Sequence, residues 1–400
     1  MGLKERSSSS TLAAVARRLR QLLRALPCAV VLALAAAPGY ALAAPPPTAV
    51  VTLGDSYISG EAGRWLGNSA NVAGSRDRTD RACVFTLGLC ASYDESRVYV
   101  DGSAATGCHR SDVAEVHSAQ LPVGRRVNIA CSGAVTTNLL RASSGGTPAH
   151  GEPPQADQLL PIARSHRIRM IVVSVGGNDL GFASIVTACF QAYLTRSAPC
   201  SQTHAAALSD ARLAEATAKI EHAIDEIRAV MRAAGSGDSD YRLVLQTYPV
   251  VIPHARDARY AQEDPRRIVE GCPFYDADMD WAQDEAAPRI GRAVKAAAAS
   301  RGVEVLELLH AFAGHEICAK TTRAVSVLAP PSPVASEWGR AVSASTIAQG
   351  QIQELFHPNA YGQMALGTCV GALYAARRGS YACTNVAPRG PGDMVLTALR

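Results

Sequence analysis

Apolar residues along the chain fall into short β-branched runs separated by longer helical patterns. Thr48 to Leu53 reads as a buried strand, Arg126 to Ala130 as a second, and Met170 to Val175 as the clearest of all. Tyr241 to Thr247, stopped by Pro249, and Val303 to Leu308 supply a fourth and a fifth. Gln155 to His166 and Trp281 to Ser300 read as helices, and Ala205 to Ala234 is the longest helical stretch. Within it Leu208, Leu213, Ile220, Ile224, Ile227 and Met231 recur mostly at helical spacing, the stripe that a helix buries on one face. Ser111 to Ser118 reads as a short helix and Ala360 to Arg377 as the closing one. Strands alternating with helices imply βαβ units. The expected fold is α/β, a three-layer α/β/α sandwich around a mostly parallel, flavodoxin-like sheet of about five strands.

Other stretches lack this periodicity. Gly60 to Gly107 is Gly- and Arg-rich and reads as an irregular surface excursion, and His310 to Ser345, with Pro330, Pro331 and Pro333, reads as a loop. A Gly/Pro-containing tail follows Cys383, and no internal repeat is present. The expected organisation is a targeting segment over residues 1–43, one domain over 44–383 and a tail over 384–400. The first segment carries Lys4, Arg6, Arg17, Arg18, Arg20 and Arg24 against Glu5, then an apolar stretch from Leu26 to Ala37 and a small-x-small site at Ala41-Leu42-Ala43. That is the pattern of a cleaved export signal, and Pro27, Pro38 and Gly39 argue against a lasting membrane span. Arg17-Arg18 lacks the flanking residues of a twin-arginine signal, and Cys28 after Leu26-Pro27 makes a poor lipoprotein site. The whole chain has a formal charge of +4, of which this segment holds +5. The remainder is therefore near neutral at −1, which gives no electrostatic case for nucleic-acid binding. A secreted monomer is expected.

Of the eleven cysteines, Cys28 falls in the export segment. The other ten, Cys83, Cys90, Cys108, Cys131, Cys189, Cys200, Cys272, Cys318, Cys369 and Cys383, form no CxxC pair and no Cys/His cluster at zinc spacing. Disulfides are favoured over a metal site. Sequence does not fix the connectivity; the simplest pairing joins neighbours in order.

The first strand runs into Gly54-Asp55-Ser56-Tyr57, where glycine and aspartate suit a tight turn into a helix. Ser56 would then project from the carboxyl edge of the sheet, where open α/β folds place ligands, with helix N–H groups facing the same point. Asp-Ser is also an ordinary N-cap pair, so the stretch needs partners to mean more. A serine nucleophile requires a base and oxyanion donors. His357, in Glu354-Leu355-Phe356-His357-Pro358 just before the last helix, is the candidate base. Glu354 is placed to accept the imidazole N–H. Gly133, after Cys131-Ser132, and Asn178, in Gly176-Gly177-Asn178-Asp179, lie at the ends of the intervening strands and are the candidate oxyanion donors.

With these blocks in order, the chain resembles the SGNH, or GDSL, hydrolases, from about Val50 to Arg377, and most closely their secreted, disulfide-bearing bacterial lipases and esterases. The resemblance implies that Ser56 attacks an ester carbonyl and His357 relays the proton. It also implies that the Ser56 N–H, the Gly133 N–H and the Asn178 amide bind the oxyanion, without metal or cofactor. The substrate would be a small-molecule or lipid ester; an acetyl esterase acting on carbohydrate, or a non-catalytic surface-binding module, are the alternatives. One position departs from the family, whose usual acid is an aspartate three residues before the histidine; here Glu354 stands there. Either Glu354 orients His357 or, as in some members, a backbone carbonyl does.

Asp55 and Asp179 read as braces for their turns. His109, beside Cys108, reads as a histidine in a stapled loop, and His254, His310 and His315 lack a partner pattern and are expected in loops or on the surface. Asp276, Asp278, Asp280 and Asp284 lack EF-hand spacing and read as a solvated helix start. Trp65, Phe190, Tyr193 and Trp338 either line an acyl pocket or pack beneath loops.

Overall fold

Every expected strand is present in a computed structural model that describes residues 45–68, 79–87, 89–326, 328–342, 352–386 and 389–400. The segment expected as an export signal, residues 1–43, lies outside the described residues. In chain order the elements that position the site are β1 (Thr48–Gly54), α1 (Ser56–Ser59), β2 (Cys83–Thr86), β3 (Leu89–Tyr93) and β4 (Arg125–Asn128). They continue through α2 (Gln155–Ser165), β5 (Arg167–Ser174), α3 (Phe182–Leu194), α4 (Asp210–Ala233) and β6 (Arg242–Gln246). The chain ends with α5 (Ala287–Arg301), β7 (Glu304–Glu307), α6 (Ala360–Ala375), β8 (Tyr381–Thr384) and β9 (Val395–Ala398).

The main sheet runs β4-β1-β5-β6-β7-β8-β9, parallel throughout except for the final antiparallel pair. Counting only the five expected strands, the order is the flavodoxin-like one, so the topological switch point falls between β1 and β5. The sheet has seven strands rather than about five, because β8 and β9 extend its far edge. The segment expected as a tail thus holds a strand paired Tyr381 to Ala398 and Ala382 to Thr397. The expected irregular excursion contains a separate hairpin of β2 and β3.

Burial follows the pleat. Val50, Met170, Val172, Val244 and Leu306 join one core with Leu366, Val370 and Leu373 of α6. Their neighbours Val51, Leu53, Ile171, Val173, Leu245 and Val305 face the other way, onto Leu159 of α2, Ile220, Ile224 and Ile227 of α4, and Val294 of α5. A parallel sheet covered on both faces needs the unbroken apolar runs from which its strands were read.

Five disulfides join Cys83–Cys90, Cys108–Cys131, Cys189–Cys200, Cys272–Cys318 and Cys369–Cys383, the pairing of neighbours in order. Each is worth roughly 2–4 kcal/mol by restricting the unfolded chain. Asp278 lies beside the Cys189–Cys200 sulfurs, but those sulfurs are bonded to each other. Its carboxylate accepts the Cys200 and Ser201 N–H groups at 3.1 and 2.8 Å, so this trio is structural. Among the described residues no helix is long and apolar enough to cross a membrane.

Candidate active site

Gly54 ends β1 with φ +133°, and a Cβ there would lie 1.8 Å from the Ser174 carbonyl oxygen. Only glycine fits, and the close approach lets the Asp55 N–H bond that same oxygen at 2.9 Å. Gln155, the first residue of α2, clamps Gly54 on both sides: the glycine N–H donates to Oε1 at 2.7 Å and Nε2 donates to its carbonyl at 2.8 Å. Asp55 caps α1 by accepting the Tyr57 N–H at 3.2 Å, and it also accepts the Tyr248 hydroxyl. Tyr248 in turn accepts the Gly177 N–H at 3.1 Å, so one phenol ties the serine turn to the turn after β5. Burial pushes the Asp55 carboxyl up to about 7.

Ser56 Oγ lies 2.6 Å from His357 Nε2, although 301 residues separate them in sequence. The other ring nitrogen, Nδ1, is 3.0 Å from the Leu355 carbonyl oxygen. A carbonyl can only accept, so Nδ1 carries the proton and Nε2 is left free to accept from the serine hydroxyl. Burial lowers the imidazole's pKa, and the nearby Glu61 carboxylate works against that shift.

Here the expectation for Glu354 is corrected. Its carboxylate does not meet His357; Oε2 accepts Trp65 Nε1–H at 2.5 Å and Oε1 accepts the Tyr99 hydroxyl at 2.5 Å. The reason is backbone geometry. Phe356 adopts φ +61°, a left-handed conformation that is uncommon outside glycine, and turns the Leu355 carbonyl toward the ring. The acidic side chain is left on the far side, buried and pushed up to about 7 by desolvation. The Tyr57 hydroxyl holds the Phe356 carbonyl at 2.7 Å, and the Phe356 N–H reaches the Arg340 carbonyl at 2.8 Å.

Gly133 and Asn178 line the same cavity as Ser56 and His357. Gly133 sits at φ +74°, just beyond the Cys108–Cys131 bridge. The Asn178 amide donates to the Ala134 carbonyl at 2.9 Å, which leaves its second N–H for another acceptor. Asp179 accepts the Thr136 N–H at 3.0 Å and its hydroxyl at 2.7 Å, joining the two blocks as a brace. From this edge a cavity of about 490 Å³ runs beneath α3, lined by Phe182, Ile185, Val186 and Phe190 on one side and Val250, Phe274 and Ile290 on the other. No Lys or Arg is among its described lining residues.

Of the four aromatics, Phe190 lines the cavity, while Trp65 and Trp338 are fully buried in packing. Tyr193 packs on Tyr275 at 5.2 Å. His109 and His315 lie outside helices and strands and are buried. His315 stacks on Trp338 at 4.0 Å and bonds the Ser336 and Arg389 carbonyls, while His254 meets Asp280 at 3.2 Å. Asp276 pairs with Arg267 at 2.5 Å, so that acidic stretch is partnered. Sequence reasoning missed Gln155 and Tyr248, which reach the site from 101 and 193 residues away and carry no motif. It also missed α3, whose stripe of Phe182, Ile185, Val186, Cys189 and Phe190 is set in a segment apolar on most of its surface.

No curated protein matches the chain. Among solved structures it is similar to an extracellular lipase from Streptomyces rimosus at 20% identity, covering 82% of this chain and 100% of that one, with a TM-score of 0.44. It is also similar to phospholipase A1 from Streptomyces albidoflavus at 21% identity, with coverage of 83% and 100% and a TM-score of 0.46. A family two carbohydrate esterase from Clostridium thermocellum is similar at 11% identity over 82% of this chain and 64% of that one, with a TM-score of 0.34. The family model for the GDSL-like lipases and acylhydrolases matches residues 98–365, which takes in Gly133, Asn178 and His357 but begins after Ser56. The match spans about two thirds of the sequence, and the chain belongs to the GDSL-like lipase/acylhydrolase family, the carboxylic ester hydrolases.

Proposed function

We propose that this chain is a secreted serine esterase for esters of apolar acyl chains, with Ser56 as nucleophile, His357 as base and the backbone of Leu355 as orienter. The observation that carries this reading is the 2.6 Å contact between Ser56 Oγ and His357 Nε2 at the mouth of an apolar cavity. As Oγ attacks the carbonyl carbon, its proton passes to Nε2, and the resulting oxyanion meets the Ser56 and Gly133 N–H groups and the Asn178 amide. Collapse breaks the bond to the alcohol, which leaves with the proton from Nε2. The acyl-serine is then cleaved by water, with His357 again as base. The five disulfides fit an oxidising compartment, which supports secretion.

A cavity lined by Phe182, Ile185, Val186 and Phe190 favours an aliphatic chain over an acetyl group on a sugar. Hydrolysis of p-nitrophenyl esters from acetate to laurate tests this. Each buried methylene is worth about 0.8 kcal/mol, so kcat/KM is expected to climb by up to about fourfold per methylene until the cavity is full. A preference for acetate, together with release of acetate from acetylated xylan, would instead identify a carbohydrate esterase.

The pH profile gives a second test. His357 must be neutral to act, and burial lowers its pKa from the ordinary 6.5, so the acid limb of kcat/KM is expected to have its midpoint below 6.5. Asp55 and Glu354 do not counterfeit this limb by unfolding the protein. Their folded pKa values are raised to about 7, so the stability they contribute is present at low pH and is lost as pH rises. A midpoint above 6.5 would contradict an imidazole whose pKa is lowered by burial.

A further inference from the structure

Glu354 is 1% exposed and stands directly before Leu355, whose carbonyl holds the His357 ring, yet its own carboxylate faces away from that ring. Burying a carboxylate is costly even beside a cation such as the Arg64 guanidinium, and an apolar side chain of similar size would commonly be as stable. The contacts around it show what it does instead. Tyr99, 1% exposed, donates its hydroxyl to Oε1, and its ring stacks on His109 at 4.5 Å and 21°. His109 Nδ1 meets the fully buried Glu61 carboxylate at 2.9 Å. The Glu61 N–H donates to the carbonyl of Ser56 at 3.2 Å. A circuit therefore leaves Ser56 through its backbone and passes Glu61, His109, Tyr99 and Glu354. It returns through Leu355 and His357 to the Ser56 hydroxyl.

We propose that Tyr99 and Glu354 are positioning residues for His357, and that their hydrogen bond locks the loop carrying the base to the turn carrying the nucleophile. The inference rests on the assignment of Ser56 and His357 as nucleophile and base. Its physical basis is the left-handed Phe356 between Leu355 and His357. Such a residue persists only where its surroundings hold it. Downstream, the Arg340 N–H bonds the His357 carbonyl at 2.9 Å, and the Ala360 N–H bonds the Trp65 carbonyl at 2.8 Å. Upstream, the Glu354 carboxylate, gripped by Trp65 and Tyr99, is the matching anchor. In this arrangement the acid steadies the carbonyl that steadies the ring. The grip needs a hydrogen-bonding group at Glu354 and not its negative charge.

Tyr99→Phe deletes one hydroxyl and keeps the ring stacked on His109. Displacement of a reacting group by a fraction of an ångström lowers turnover without weakening substrate binding, so kcat is expected to fall about tenfold with KM within about twofold. Glu354→Gln retains an acceptor for Trp65 and a polar partner for the phenol, and should keep kcat within about threefold of wild type. Glu354→Leu should lose at least as much as Tyr99→Phe, and adding Tyr99→Phe to it should lower kcat no further, because both act through one bond. Unchanged kcat in Tyr99→Phe with only a lowered melting temperature would overturn the proposal. So would a larger loss in Glu354→Gln than in Tyr99→Phe, which would make the charge itself the working feature. Fluorophosphonate labelling separates this failure from that of the underlying assignment. If Ser56 of the wild-type protein labels, and Tyr99→Phe labels at the same rate, the positioning role is refuted alone; if wild-type Ser56 does not label, the nucleophile assignment falls first.

Discussion

Replacing Ser56 with alanine is expected to lower kcat on p-nitrophenyl butyrate by roughly 10⁴–10⁶ while leaving the fold intact. On the proposed mechanism, loss on this scale follows because the hydroxyl would form the bond to the acyl group. Asp55, the neighbouring residue, is occupied by the Tyr57 N–H and the Tyr248 hydroxyl. The fold should tolerate the change because the side chain's described hydrogen bond is the one to His357 Nε2. The turn itself is held without the Ser56 side chain: the Gln155 amide grips the Gly54 backbone, the Asp55 N–H bonds the Ser174 carbonyl, and the Ser59 N–H bonds the Asp55 carbonyl at 2.9 Å. Alanine at the start of a helical turn suits that geometry. The melting temperature should stay within about 2 °C, the shift that follows from the loss of one modest hydrogen bond. Turnover near wild type in a folded Ser56→Ala protein would remove Ser56 from the chemistry and with it the acyl-serine mechanism.

The distribution of what was legible has a physical pattern. The five strands from Thr48–Gly54 to Glu304–Glu307 could be read because a parallel sheet buried on both faces requires continuous β-branched runs. The long helix Asp210–Ala233 could be read because only one of its faces is buried. Strands Tyr381–Thr384 and Val395–Ala398 lie at the sheet edge, are four residues each and half exposed, so no such run marks them. Ser56, Gly133, Asn178 and His357, the residues proposed for the site, line one cavity, and each lies in the turn segment just after a strand or just before a helix. The choice between Glu354 and a backbone carbonyl as orienter stayed open in the sequence because spacing gives a side chain's distance along the chain and not its direction. One left-handed residue, Phe356, exchanges a side-chain acceptor for a backbone one. Tyr99, Gln155 and Tyr248 act on the site through tertiary contacts alone, and no local pattern announces them.

Asn178→Ala is expected to lower kcat by about 10²–10³ with a much smaller change in KM, the cost of one donor aimed at a developing oxyanion. The competing explanation is structural, since the same amide donates to the Ala134 carbonyl at 2.9 Å and so steadies the Gly133 turn. Thr136→Val separates the two. It removes the hydroxyl that Asp179 accepts at 2.7 Å, loosening the contact between the blocks while leaving the Asn178 amide in place. If the loss in Asn178→Ala comes from the oxyanion, Thr136→Val should cost less than about threefold, the ordinary effect of one part-buried hydrogen bond. Asn178→Asp sharpens the contrast, because it keeps the shape of the side chain but substitutes lone pairs for donors. A carboxylate facing an oxyanion repels it, so this variant should be at least as impaired as the alanine. Equal losses in Thr136→Val and Asn178→Ala, or an Asn178→Asp protein as active as wild type, would assign the amide to holding the Gly133 turn. Oxyanion stabilisation would then rest on the backbone N–H groups of Ser56 and Gly133.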